Sequence, residues 1–217
     1  SGESRKFMFA PAAVKQNTPE RFDAVYIGSG DREHPLTTST SLPFSNVNRD
    51  KMFMIKDAPE LEAPGGAPLT PGNLRDRAEG DTSQLTAADI ANPFQGWIVG
   101  LQDGEKVINA PTVFFNKLRF GTYAPLAQAN ACAPPGASRL NELDALTGNF
   151  IDLNGDGTYS ATERWYPSTS TGYVSTGQII VLGKNIYHIV ASPLLQYQLI
   201  GTIGAGTKIY WYMEPEQ

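Results

Sequence analysis

The chain has 217 residues, with 17 basic and 22 acidic side chains and a formal net charge of -5. No cluster of Lys and Arg interrupts that balance, which excludes electrostatic binding to nucleic acid or to an anionic membrane surface, because counterion release from phosphates needs grouped cations. The length suffices for one all-β domain or two small domains, and hydrophobic residues at 41% with charged residues at 18% exclude a disordered chain and a long exposed-helix protein.

The chain starts S-G-E-S-R-K-F-M-F, with no positive region followed by an apolar core and a cleavage site, and is read as carrying no signal peptide, either for want of one or after its removal. Short β-rich runs then recur, each bounded by Gly, Pro, Asn or Asp: K-F-M-F, F-D-A-V-Y-I-G, K-M-F-M-I-K, G-W-I-V-G-L, P-T-V-F-F, L-R-F-G-T-Y, Q-I-I-V-L, I-Y-H-I-V, L-L-Q-Y-Q-L and K-I-Y-W-Y-M. These predict strands. Between the third and fourth runs, residues 58–94 are rich in Pro and Gly around the charged run R-D-R-A-E-G-D and read as an inserted surface loop. Inside it, Thr86 and Asp89 are spaced as a capping pair for one or two turns of helix.

The strands group into a weak repeat. Pro111 to Tyr123 reads as a hairpin about Asn116-Lys117, and Gly177 to Ala191 as a hairpin about Gly183-Lys184-Asn185. A looser third unit joins Ala10 to Val14, Phe22 to Gly28, Lys51 to Lys56 and Trp97 to Leu101. Four-stranded units of this kind predict the blades of a β-propeller, but about three are visible where a closed ring needs about four to eight. The expectation is therefore all-β, part of a larger propeller ring whose missing blades lie upstream in a parent chain or in a partner, with a β-sandwich as the alternative. The apolar stretch Ile179 to Ile203 is interrupted by Lys184, Asn185, His188, Pro193, Gln196 and Gln198, which a membrane-spanning helix would not tolerate, so no transmembrane segment is expected. Cys132, the only cysteine, excludes an internal disulfide and a four-cysteine zinc site, and is either a free thiol near a loop or the partner of a cysteine in another segment or chain.

The most chemical segment is D-L-N-G-D-G-T-Y-S-A-T-E, residues 152–163. Calcium takes about six to eight oxygens, which a loop of this type supplies from positions 1, 3, 5, 9 and 12 and from one main-chain carbonyl at position 7. Asp152, Asn154, Asp156, Thr158, Ser160 and Glu163 occupy those positions, with Gly157 at the sharp turn. The competing reading is an Asx-rich turn, since Asn-Gly and Asp-Gly are strong turn formers. Four donor side chains at the right offsets favour calcium.

Other candidates read more simply. Asp31, Arg32, Glu33 and His34 resemble a catalytic cluster, yet a strand end carrying G-S-G-D-R-E-H-P makes a turn in which Asp31 bonds local amides and Arg32 pairs with a carboxylate. His188 lies inside a strand pattern, and two histidines with one cysteine make no zinc set. Gly28-Ser29-Gly30 follows a strand, but no helix follows to present amides to a phosphate. No G-x-S-x-G nucleophile signature occurs, and Trp97, Trp165, Tyr210, Trp211 and Tyr212 read as packing residues. No enzyme is expected.

Several segments together resemble a known family. Phe22 to Leu36 (F-D-A-V-Y-I-G-S-G-D-R-E-H-P-L), Met52 to Asp57, Gly96 to Pro111 and Ser138 to Gly148 resemble the C-terminal domain of the type IV pilus tip-associated adhesin and biogenesis factors, the PilY-type proteins. The resemblance spans nearly the whole chain. It implies a modified β-propeller, a location at the bacterial surface or pilus tip with passage through the periplasm or outer membrane, and roles in pilus extension, retraction and attachment. It also implies minor pilins or the pilus tip complex as partners, together with a host surface receptor. The family's domain carries a calcium loop, expected after A-L-T-G, where residues 152–163 lie; Ser160 departs from the acid often found at position 9. An alternative resemblance of D-A-L-T-G to quinone-binding propeller dehydrogenases conflicts with the single cysteine and the small number of blades. A structural subunit completed by another chain is the third reading.

Overall fold

The structure, a computed structural model, describes residues 5–17, 21–36, 49–58, 68–78, 81–91, 93–126, 136–153, 155–166, 174, 177–192 and 194–202. These residues are nearly all strand and connecting loop. Helix is limited among them to single 3₁₀ turns at Pro71–Asn73, Ala87–Ile90 and Ala161–Arg164. No helix among them is long and apolar enough to cross a membrane.

The first sheet is built from β1 (Ala12–Gln16), β2 (Phe22–Gly28), β3 (Lys51–Asp57), β4 (Arg75–Arg77) and β5 (Gly96–Gly100) in the order β1-β2-β3-β5-β4. The β2 sequence alternates, placing Phe22, Ala24, Tyr26 and Gly28 inside. In contrast, β5 is buried along its whole length. Trp97 and Val99 enter the main core, while Ile98 packs with Phe53 and Leu74 on the opposite face. A continuous apolar run is what a strand covered on both faces requires.

The second sheet contains β6 (Lys106–Val107), β7 (Thr112–Phe114), β8 (Lys117–Pro125), β9 (Gly136–Asp144) and β10 (Trp165–Tyr166), ordered β10-β9-β8-β6 with β7 also on β8. The β7–β8 turn is Phe115-Asn116, one residue earlier than the expected Asn116-Lys117 because Lys117 pairs with Phe114; both turn residues have positive φ (49° and 57°), the conformation that a two-residue hairpin of this hand needs. The third sheet is the meander β11 (Gln178–Leu182), β12 (Asn185–Ser192) and β13 (Leu194–Thr202). Tyr26, Met54, Trp97, Leu118, Phe120 and Leu143 share one core between the first two sheets. All-β is thus the architecture, and among the described residues the sheets do not close into a ring.

Several expectations need correction. K-F-M-F forms no strand; Phe7 and Met8 are exposed, and its backbone is held through Gly30 N donating to Lys6 O at 2.9 Å. The 58–94 segment is more than a surface loop. Its residues 75–77 form β4, which pairs in parallel with β5, and Leu74, Arg77 and Ile90 are buried. Thr86 and Asp89 do cap a turn: Thr86 N and Oγ1 both donate to Asp89 Oδ2 at 2.7 Å. K-I-Y-W-Y-M, with Tyr210, Trp211 and Tyr212, and also Cys132, lie outside the described residues.

Two sites explain the sequence locally. A Cβ on Gly28 would meet the Val107 side chain at 2.5 Å, and one on Gly30 would meet Val107 O at 2.5 Å. Gly28-Ser29-Gly30 is therefore a close approach between β2 and β6, sealed by Val107 N donating to Ser29 O at 3.1 Å. The second is the turn after β9, where Asp144 Oδ1 accepts from Thr147 N and Oγ1, each at 2.8 Å. Trp97 Nε1 donates to Leu146 O at 3.1 Å and Tyr26 OH to Ala145 O at 3.1 Å, clamping this turn to the first sheet. Trp97→Phe should cost about 2–4 kcal/mol, from lost ring packing and buried carbonyls deprived of a donor. Urea denaturation checks this; a loss under about 1 kcal/mol would mean that the clamp does not hold the turn.

Candidate metal centre

The chain from Ile151 to Arg164 is a loop closed on one strand. At its start, Phe150 bridges to Leu143; at its end, Trp165 pairs with Asn141. Leu143 and Asn141 are two residues apart on β9, so the loop ends meet within about 7 Å. A β-bridge leads into the loop and a single 3₁₀ turn leads out, so two helices do not flank it.

Inside the loop, backbone amides turn toward the acids. Asp152 Oδ1 accepts from Gly155 N at 2.6 Å and Oδ2 from Gly157 N at 2.8 Å. Gly157 has φ +78° with nothing within 4 Å of an added Cβ, so glycine serves the conformation there and not a lack of space. Asp156 Oδ1 accepts from Thr158 N and Oγ1 at 2.8 and 2.6 Å. Ser160 N donates to Glu163 Oε2 at 2.6 Å.

One oxygen each of Asp152, Asp156 and Glu163 lies within 4.8 Å of the others. Two oxygens bound to one calcium at about 2.4 Å can be no farther apart than about 4.8 Å, so the spacing fits a shared ion. Glu163 is only 6% exposed, and its Oε1 is buried without a hydrogen-bond partner. An unpaired buried carboxylate oxygen is costly unless something positive completes it. Thr158 and Ser160 lie on the same loop, exposed, and Asn154 lies outside the described residues. The donor set fits calcium, with Glu163 as its most telling member.

Asp31, Glu33 and His34 form a second group within the same spacing. Asp31 Oδ2 accepts from Lys6 Nζ at 2.6 Å and contacts His34 Nδ1 at 2.9 Å, while Oδ1 accepts from Glu33 N at 3.1 Å. A cation is therefore already in place, supplied by the chain. The Arg32 guanidinium lies 5.9 Å over the Phe9 ring. His188 is buried in β12.

The strongest electrostatic feature is one that sequence reasoning missed. Arg164, 1% exposed, follows Glu163 directly and turns the other way, into the protein. Its Nη2 donates to Glu105 Oε2 at 2.5 Å, its Nη1 to Gly100 O at 3.0 Å and its Nε to Asn141 Oδ1 at 3.1 Å. Glu105 Oε1 accepts from Thr122 Oγ1 at 2.6 Å, Oε2 accepts from Gln102 N at 2.9 Å, and Arg139 lies 3.6 Å away. Burial pushes the Glu105 carboxyl up, but the Arg164 charge, these hydrogen bonds and Arg139 outweigh it and hold the group below its ordinary value. The Trp165 ring contacts two guanidinium groups, with its centroid 4.2 Å from the guanidinium carbon of Arg139 and 4.8 Å from that of Arg164.

A second buried arginine serves the start of the loop. Arg77 Nη1 donates to Asn149 Oδ1 at 2.7 Å, and Leu85 N donates to the same oxygen at 2.9 Å. A cleft of about 530 Å³ opens beside the loop between Leu85, Asn116, Asp144, Asp152 and Tyr159. Its Asp144 is engaged by Thr147 and by Asn116 Nδ2 at 2.9 Å. No local sequence signal marks Glu105 and Arg164 as partners across 59 positions.

The Asp31 cluster yields a pH test. Burial raises its carboxyl, but hydrogen bonds and charges from Lys6 and His34 outweigh this and hold it at about 2, below the ordinary 3.8. Because the folded value is depressed, its contribution to stability is complete above 3.8 and is lost as pH falls from there through about 2. Carboxyl NMR should find the Asp31 midpoint near 2 and see it rise in Lys6→Ala; a wild-type midpoint at the ordinary value would remove the pairing.

Compared with known proteins, the chain matches no family model, no curated protein and no solved structure.

Proposed function

We propose that the chain is a calcium-binding, non-catalytic β module of a type IV pilus tip adhesin and biogenesis protein, with its sheets as blades of a modified propeller. One observation carries the calcium reading: buried Glu163, grouped with the carboxylates of Asp152 and Asp156, has a carboxylate oxygen without a hydrogen-bond partner. The pilus reading is supported by the resemblance of the segments at Phe22–Leu36, Met52–Asp57, Gly96–Pro111 and Ser138–Gly148.

Asp152, Asp156 and Glu163 would hold the ion, joined by Asn154, the Thr158 carbonyl and Ser160. Bound calcium supplies the positive charge that three converging carboxylates lack. The protein's own part is to close the loop on β9 and aim the acids inward. An ordered loop then presents its exposed side, including Tyr159 at 42% exposure, to minor pilins, to the tip complex or to a host receptor at the bacterial surface.

Calcium at about a hundredfold excess over its Kd should stabilise the fold by about 2.7 kcal/mol. For a chain of this size that raises Tm by roughly 5–10 °C. Asp156→Ala should abolish the rise, and a variant that keeps the full calcium response would sink the site. For the pilus role, Asp156→Ala in the parent gene of a piliated bacterium should reduce surface attachment and twitching. Normal attachment and twitching after deletion of residues 1–217 would overturn that role.

A further inference from the structure

We propose that Glu105, outside the loop, is a positioning residue for the metal ligand Glu163: by holding Arg164 in the interior, it sets the point from which Glu163 reaches the ion. This inference rests on the calcium reading above and adds a residue to it from the first sheet's connection to β6.

Glu163 and Arg164 are consecutive, both buried, and part of one 3₁₀ turn. Their Cα atoms are about 3.8 Å apart, so neither can move far without the other. Arg164 is fixed in three directions, to Glu105, to Gly100 O and to Asn141 Oδ1. Only Glu105 among these carries negative charge. Neutralising it would leave Arg164 a buried cation facing Arg139 with neutral acceptors alone, and removing one partner of a buried pair is far more disruptive than replacing both. Arg164 would then move toward water, the two-residue β10 would loosen from β9, and Glu163 would be carried off its position. By linkage the coupling runs both ways: an ion held at Glu163 steadies the Arg164 anchor by the same free energy.

The test uses the full chain with Ca²⁺ and with Tb³⁺ as a luminescent probe. Glu105→Gln should weaken calcium binding tenfold or more. It should also leave more water on bound terbium, read from luminescence lifetimes in light and heavy water, because Glu163 has left the ion. Excess calcium should restore slow hydrogen exchange at the Trp165 amide. A purely structural role for Glu105 would lower Tm equally with and without calcium and leave affinity and terbium hydration unchanged; that result overturns the proposal. Should Glu105→Gln not fold, Thr122→Val removes one bond to Glu105 and keeps the charge. It should weaken calcium binding severalfold, and wild-type affinity in that variant, with Trp165 exchange in the native chain indifferent to calcium, is equally fatal. A native chain that binds neither ion refutes the calcium reading itself, and this proposal with it.

Discussion

The buried ion pair between Glu105 and Arg164 is the constraint on which much of this structure depends. Two fully buried charges are expensive to remove from water, and their attraction offsets that cost only where every remaining polar atom is satisfied. Here Glu105 draws on Thr122, Gln102 and Arg139, while Arg164 draws on Gly100 and Asn141. The donors and acceptors come from β5, the turn before β6, and β8 and β9. The pair therefore specifies how the first sheet meets the second, a geometric demand that apolar packing alone would leave looser.

The same demand explains how an exposed, glycine-bearing loop can be held with its acids converging. Its start is tied down by Arg77 through Asn149 and by the clamp of Trp97 and Tyr26 on the preceding turn. Its end is tied down by Arg164. Arg164 reaches from the loop's end into the interior, and Arg77 reaches from β4 to Asn149 just before the loop's start, so the chain between these two points has little freedom to splay. Converging carboxylates repel one another, and only a frame that overrides this repulsion can keep a site ready for a cation. The Asp31 turn shows the other solution, in which Lys6 supplies the opposing charge and His34 Nδ1 a further polar contact.

Legibility in the sequence followed the range of the interactions. β2, β3, β5, β8 and the hairpin of β11 and β12 could be read because each carries an apolar or alternating run ended by turn residues. In contrast, β9, G-A-S-R-L-N-E-L-D, carries no such run, since Ser138, Asn141 and Glu142 are buried among polar partners that no local pattern shows. β4 was hidden in a Pro- and Gly-rich segment for a similar reason: its R-D-R is a poor strand sequence whose place is determined by pairing with β5. K-F-M-F erred the other way, an apolar run that found no neighbouring strand.

By itself, the sequence determined the all-β class, the existence of the two hairpins and the spacing of oxygen donors in residues 152–163, because these depend on side-chain alternation, backbone preference and short-range offsets. Only the tertiary structure decided that Glu163 is buried with an oxygen unpaired, that Arg164 beside it belongs to Glu105, and that Gly28 and Gly30 admit β6. Each of these rests on groups brought together from distant positions, where desolvation and close packing act, and a linear pattern contains neither.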